Sequence, residues 1–230
     1  MPRCIDLFVF DLAGTVVRDE HQVLDAFLAA ARAFEVPVAE SLLRERMGWH
    51  KQRVFETVLA EAGRDVAPAA AMARRFEEEY AAIVLARPLQ PTNGALQVLQ
   101  ELAAAGVKIA FNTGFSRSTA DLVLRAVDLH HLPSVASSEV RAGRPAPDLI
   151  LRAMELCGVE DPARVGVAGD TPADLAAGMA ARARFVVGVG CGTHTLLELR
   201  EFPHTHLVAD LTELPALVLQ ACARAWEQNA

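Results

Sequence analysis

Lysine is nearly missing from this chain. Of its 22 basic residues only Lys51 and Lys108 are lysines, and every other one is arginine. Arginine cannot form an imine with a carbonyl and effectively never deprotonates, so a retained lysine points to a need for an amine. Cysteine is scarce as well. Cys4, Cys157, Cys191 and Cys222 stand apart, with no CxxC spacing. That spacing predicts neither a disulfide framework nor a zinc site, and it suits a reducing cytoplasm. An excess of positive charge is also lacking. The formal net charge is −7, which argues against a general nucleic-acid or anionic-membrane binder while leaving room for a local basic site. No apolar run approaches the ~20 residues of a membrane span, and no basic segment followed by an apolar stretch opens the chain. A soluble, cytoplasmic protein with no membrane partner is the expectation.

What is present is ample core material. Of 230 residues, 52% are hydrophobic, enough for one or two packed domains. The run from Ile5 to Phe10 is apolar and ends on Asp11, followed by Leu12-Ala13-Gly14-Thr15. It reads as a buried strand whose carboxyl end carries an acid. Residues 18–87 then read as entirely helical. Val23, Leu24, Phe27, Leu28 and Ala31 form one stripe, with Asp19, Glu20 and Arg32 off it. Leu42 and Leu43 belong to a short helix. A third helix starts near Met47-Gly48 with the stripe Val54, Phe55, Val58 and Leu59. A fourth carries Met72, Phe76, Tyr80 and Ile83.

From residue 92 strands and helices alternate. Strands are predicted at 107–112, 135–140 (the weaker), 165–169, 185–189 and 206–209, and a closing helix at 214–227. This alternation predicts an α/β fold, a Rossmann-like, doubly wound parallel sheet with right-handed crossovers. Residues 1–17 and 88–230 would form that core. The helical block 18–87 would be an inserted all-helical cap, with hinges near residues 16 and 88.

Polar groups collect at the predicted strand ends: Asp11, Thr113 and Asp170, with Asp174 beyond. Arg144 stands in the connection Gly143-Arg144-Pro145-Ala146-Pro147-Asp148. In open α/β sheets such ends are where ligands bind. Two carboxylates with nearby carbonyls suit Mg²⁺. An arginine with exposed amides, and a turn such as Gly14-Thr15, suit a phosphoryl group. Taken singly, each has an ordinary reading as a turn residue, an N-cap or a surface ion pair.

Taken in order, Asp11-Leu12-Ala13-Gly14-Thr15, Thr113-Gly114, Arg144 and Gly169-Asp170-Thr171-Pro172-Ala173-Asp174 resemble the four motifs of the haloacid dehalogenase superfamily. The resemblance implies a Rossmann-like core and an Asp11 nucleophile that takes a phosphoryl group. It implies Mg²⁺ held by Asp11, the Ala13 carbonyl and Asp170, with Asp174 in support. It implies a small phosphate or phosphonate substrate, and it is compatible with a homodimer. Two positions depart from the phosphatases of that superfamily. Ala13 stands where they have a second aspartate, a general acid worth ~10²–10⁴-fold. Arg144 stands where they usually have lysine.

Both departures resemble the phosphonatase branch, which carries Asp-x-Ala-Gly-Thr, an arginine in the third motif and Met-Gly-x-x-Lys in a helical cap. Here that last motif is Met47-Gly48-Trp49-His50-Lys51. The resemblance implies a Schiff base between Lys51 and a 2-oxoalkylphosphonate, phosphonoacetaldehyde or a relative, and cleavage of its C–P bond as Asp11 takes the phosphoryl group. Thr113 would assist, with Thr15, Gly114, Met47, Gly48 and His50 lining the substrate site. Lys51 extends the apolar stripe of its helix and opens its first turn, where the dipole disfavours an ammonium. Arg44, Arg46 and Arg53 are expected to lower its pKa further. Val54 stands where the phosphonoacetaldehyde hydrolases have a histidine, and His50 is the nearest substitute. Two rival readings stay open: a phosphatase acting on an activated ester or acyl phosphate, and a non-catalytic phosphate-binding regulator.

Overall fold

The computed structural model describes residues 4–227. Strand β1 (Leu7–Asp11) is followed by helices α1 (Gln22–Ala33), α2 (Glu40–Glu45), α3 (Lys51–Glu61), α4 (Ala69–Ala86) and α5 (Ala95–Ala104). Then come β2 (Lys108–Thr113), α6 (Arg117–Ala126), β3 (Ser134–Ala136), α7 (Asp148–Cys157), β4 (Val165–Gly169) and α8 (Pro172–Ala180). The chain closes through β5 (Phe185–Val189), α9 (Leu196–Leu199), β6 (His206–Val208) and α10 (Leu214–Glu227).

All six strands are parallel, in the order β3-β2-β1-β4-β5-β6. The order runs outward in one direction from β1 and in the other from β4. Their junction is therefore the topological switch point, the place where such sheets bind ligands. Register sharpens this. Phe10 pairs with both Phe111 and Ala168, so Asp11 lies one residue past that level, and Thr113 and Asp170 two. Strand β1 is buried on both faces. Its alternation sends Phe8 and Phe10 into one apolar cluster and Leu7 and Val9 into another, against α7.

The first cluster is continuous from the sheet into the helical segment. Phe27 of α1, Phe55 of α3 and Phe76 and Tyr80 of α4 share it with Phe10, Phe111 and Phe115. The two connections to this segment run side by side. Arg18 N donates to Gln90 O (2.8 Å), Thr92 N to Val16 O (2.9 Å) and Thr92 Oγ1 to Thr15 O (2.6 Å).

The structure corrects several expectations. Cys4 and Cys222 form a disulfide, with Cα atoms 5.2 Å apart across 218 residues of sequence. Cys4 precedes β1 and Cys222 lies in α10, and only the closed fold brings them together. The weak strand predicted to Val140 stops at Ala136, because residues 137–139 turn into a 3₁₀ helix. Helix α3 begins at Lys51 rather than near Met47, with His50 as its N-cap in extended backbone. In α4, Val84 joins the buried stripe, and Ile83 packs partly buried against the same core. No helix of the described residues is long and apolar enough to cross a membrane.

Candidate active site

The carboxylates converge at the switch point. Asp11 ends β1, Asp170 follows β4, and Asp174 sits in the first turn of α8, capped by Thr171. All three are buried, and each offers an oxygen within 4.8 Å of the others. Arg144 is wholly buried among them. Its Nη1 lies 2.6 Å from Asp11 Oδ1 and 2.9 Å from Asp174 Oδ1. Its Nη2 donates to Asn112 O and Oδ1, at 2.8 and 2.6 Å, and Nε has no protein partner.

Burial pushes the pKa of Asp11 up, and Asp174 and Asp170 add to the rise against Arg144, which opposes it. Burial also raises Asp170, with Asp174 reinforcing it, while bonds from Thr193 and Thr15 oppose. For Arg144, burial alone would lower the pKa. The carboxylates of Asp174 and Asp11 outweigh it and hold the guanidinium above its ordinary value. Three carboxylates against one guanidinium leave a formal charge of −2 in this cluster. Hard oxygen donors carrying that surplus fit a divalent cation such as Mg²⁺. Ala13 lines the cavity beside Asp11. Its neighbour Gly14 is at φ +93°, and a Cβ there would lie 2.3 Å from Asp170 Oδ2, so only glycine lets this turn press onto the acid.

Other predicted residues occupy the same place. Thr15 Oγ1 donates to Asp170 Oδ1 at 3.0 Å. Thr113 Oγ1 accepts from Phe115 N at 3.2 Å. Met47, Gly48, Lys51, Thr113 and Gly114 share with Asp11 the wall of a cavity of about 20 Å³, room for roughly one water. A Cβ on Gly114 would fall 2.5 Å from Gly48 O and 2.7 Å from Trp49 O. The Met-Gly-Trp loop of the helical segment thus rests directly on the end of β2. His50 packs near Gly143 instead and is not part of that wall. Val54 is fully buried in the apolar face of α3.

Lys51 is 6% exposed although it opens α3. Its Nζ lies 4.7 Å from the ring centroid of Phe115 and 5.3 Å from those of Phe27 and Phe76. Burial lowers its pKa to about 8, with Arg144 assisting and Asp11, Asp19 and Glu77 opposing. The nearby cation is therefore Arg144, not the three arginines expected from sequence. Arg46 pairs with Glu45 and Glu61, Arg53 stacks over Trp49, and Arg44 Nη2 donates to Thr193 O at 2.8 Å. Lys108 opens β2 at the opposite end of the sheet, where Nζ donates to Cys157 O.

Sequence reasoning missed three contributors. Asp19, read as off the α1 stripe, lines the cavity beside Lys51, and its Oδ1 accepts from Val23 N at 3.2 Å. An acid just before an apolar helical stripe is a helix-start signal, and that would have found it. The loop after β5 closes the acidic cluster, since Thr193 N donates to Asp170 Oδ2 at 2.6 Å. Asn112, the last residue but one of β2, holds Arg144. No pattern in the sequence marks these last two.

Acids and a buried guanidinium at the switch point of a doubly wound sheet define an α/β protein whose site has the donors to hold a divalent cation and a fixed positive charge beside them. Within that class the chain belongs to the haloacid dehalogenase-like hydrolases, whose family model matches residues 5–182. It is 33% identical over 150 residues to phosphonoacetaldehyde hydrolase of Bacteroides fragilis, covering 62% of this chain and 55% of that one. The chain thus spans only about half the length of that relative. It is 30% identical over 202 residues to a probable phosphatase, IndB, of Dickeya dadantii, covering 84% and 85%. The crystal structure of a hydrolase from Pseudomonas syringae shares the fold, with a TM-score of 0.84 at 24% identity over 92% of this chain and 97% of that one.

Proposed function

We propose that this hydrolase cleaves the C–P bond of a 2-oxoalkylphosphonate, phosphonoacetaldehyde or a close relative. The observation that carries the reading is Lys51, a buried amine with a pKa lowered to about 8, on the same cavity wall as Asp11. Ala13 supports it, because a phosphatase expelling an alkoxide needs an acid there. The B. fragilis relative bears a phosphonatase name, and the D. dadantii relative a phosphatase name. Residues 18–87 act as a cap on the core formed by 1–17 and 88–230. The paired connections at 16–18 and 90–92 serve as its hinge, since a cavity of about 20 Å³ admits no phosphonate without opening.

The Lys51 amine attacks the carbonyl carbon, and loss of water leaves an iminium. An Asp11 oxygen attacks phosphorus. The C–P electron pair moves into the iminium, giving an enamine on Lys51 and an acyl phosphate on Asp11. Water hydrolyses the acyl phosphate to phosphate and restores the carboxylate. The enamine takes a proton at carbon, and hydrolysis of the resulting imine frees the carbonyl product and the amine. Arg144, bonded to Asp11 and Asp174, supplies fixed positive charge to the phosphoryl oxygens, and Thr113 and Thr15 border them. Mg²⁺, held by Asp11, Asp170 and the Ala13 carbonyl with Asp174 behind, would screen charge between the phosphonate and the nucleophile.

The test is reductive trapping. With a 2-oxoalkylphosphonate and borohydride, one adduct per chain should form on Lys51 and none on Lys108. Lys51→Arg should lose several orders of magnitude in kcat while still binding the phosphonate. Ordinary turnover by that variant, with no adduct on the wild type, would instead favour a phosphatase acting on an activated phosphate.

A further inference from the structure

The charge that appears on Lys51 during such a reaction has no carboxylate within ion-pair distance, although Asp11 and Asp19 line the same cavity. Lys51 Nζ enters no ion pair among the described residues. The charged groups that act on it most strongly are Asp11, Arg144, Asp19 and Glu77, and none of the carboxylates forms an ion pair with it. What surrounds the nitrogen is the faces of Phe27, Phe76 and Phe115, from α1, from α4 and from the turn after β2. These rings are packed on one another. Phe27 and Phe76 centroids are 4.5 Å apart and Phe76 and Phe115 6.4 Å, and Tyr80 braces the last from 4.9 Å. None of the three phenylalanines is more than 1% exposed.

A cation over an aromatic face is attracted by the ring quadrupole, more strongly where water is excluded. A carboxylate in this place would hold Lys51 protonated and deny the amine needed for attack. Ring faces are a weaker, non-basic alternative: they favour a cation yet accept no proton from it. We propose that Phe27, Phe76 and Phe115 form a π box that stabilises the iminium formed on Lys51. This rests on the imine reading above and adds residues outside the acidic cluster to the catalytic set. The box spans both parts of the chain, since Phe27 and Phe76 belong to the helical segment and Phe115 to the sheet portion. It is therefore complete only when the two are packed together.

The test grades the quadrupole without changing shape. Phe115 is replaced in the full chain by 4-fluoro-, 3,5-difluoro- and 3,4,5-trifluorophenylalanine, and folding is checked by thermal melting. With a 2-oxoalkylphosphonate as probe, at a pH above the amine's pKa of about 8 so that the neutral amine is the reference state, the amount of borohydride-trapped Lys51 adduct at equilibrium should fall stepwise with each fluorine. The total fall should be about 2- to 30-fold, and Phe115→Leu should match or exceed the last step. The amine's apparent pKa, read from the pH dependence of trapping, should fall in the same order, because the ammonium loses the same stabilisation. A packing role would move neither quantity with fluorine count. A flat series with a normal wild-type adduct overturns the box and leaves the imine reading standing. A wild-type chain that forms no adduct overturns both.

Discussion

Arg144 Nη1 stands 2.6 Å from Asp11 Oδ1, with both groups buried. Burial alone would protonate Asp11, and a protonated carboxyl is no nucleophile. A permanently charged guanidinium in contact is what favours the anion. The same nitrogen reaches Asp174 at 2.9 Å, so one cation links the end of β1 to the first turn of α8. A lysine here would bring a compact ammonium in place of a planar fork, and with it a second amine able to capture a carbonyl.

Lys51 should impose a pH dependence on both rate and stability. With a pKa of about 8, about a tenth of the amine is free at pH 7. Turnover should rise with pH up to about 8 and then level. In the range between 8 and the unfolded value of 10.5, the unfolded chain binds the extra proton, so stability should also rise with pH there. Lys51→Met should remove that slope, raise the melting temperature near pH 7 and abolish imine formation. Asp19→Asn removes a charge that raises the Lys51 pKa, so the rate profile should move to lower pH. Rate and melting profiles from pH 6 to 10 check these shifts.

On the proposed reading, Ala13→Asp should raise activity on simple phosphates and lower it on the oxo-phosphonate. It restores a general acid beside Asp11, so hydrolysis of an aryl or alkyl phosphate should gain measurably while C–P cleavage declines. Phosphate release from both substrate types decides it. Strong wild-type activity on simple alkyl phosphates would remove the reason given for the alanine.

Asp11→Asn should end turnover, since an amide is neither a competent nucleophile nor a good ligand for a hard cation. Chelation of wild type should have the same effect, with recovery on adding Mg²⁺. Calorimetric titration with Mg²⁺ alone should show weakened binding by the variant. Near-wild-type phosphate release from a clean preparation of Asp11→Asn would contradict the assignment.

Arg44 ties the helical segment to the acidic cluster through a relay of two bonds. Its Nη2 donates to Thr193 O, and Thr193 N donates to Asp170 Oδ2. Arg44 also faces Glu198 at 3.7 Å, but that pair is solvent-exposed and contributes little. Arg44→Met should raise KM severalfold by favouring the open arrangement, with the melting temperature nearly unchanged. Equal losses in KM and melting temperature would instead indicate a structural role.

The strand-end acids, the helical interruption after β1 and the buried lysine were all legible in the chain order. Each depends on a local pattern: an apolar run stopping on Asp11, an apolar periodicity of 3.6 residues, and Lys51 four residues before Phe55. Patterns of that kind fix which residues must be buried and which strand ends carry chemistry. They are silent on pairings that cross the whole chain. Cys4 meets Cys222 across 218 residues, and Thr193 meets Asp170 only because β5 lies beside β4. Asp19 read as an acid off the α1 stripe, and the fold placed it on the cavity wall with Lys51. The arginines near Lys51 in sequence proved to be engaged elsewhere, while Arg144, 93 positions away by the numbering, supplies its like charge. Electrostatic interactions and ring contacts follow distance in space, and that distance was decided by strand order and by the seating of the helical segment on the sheet.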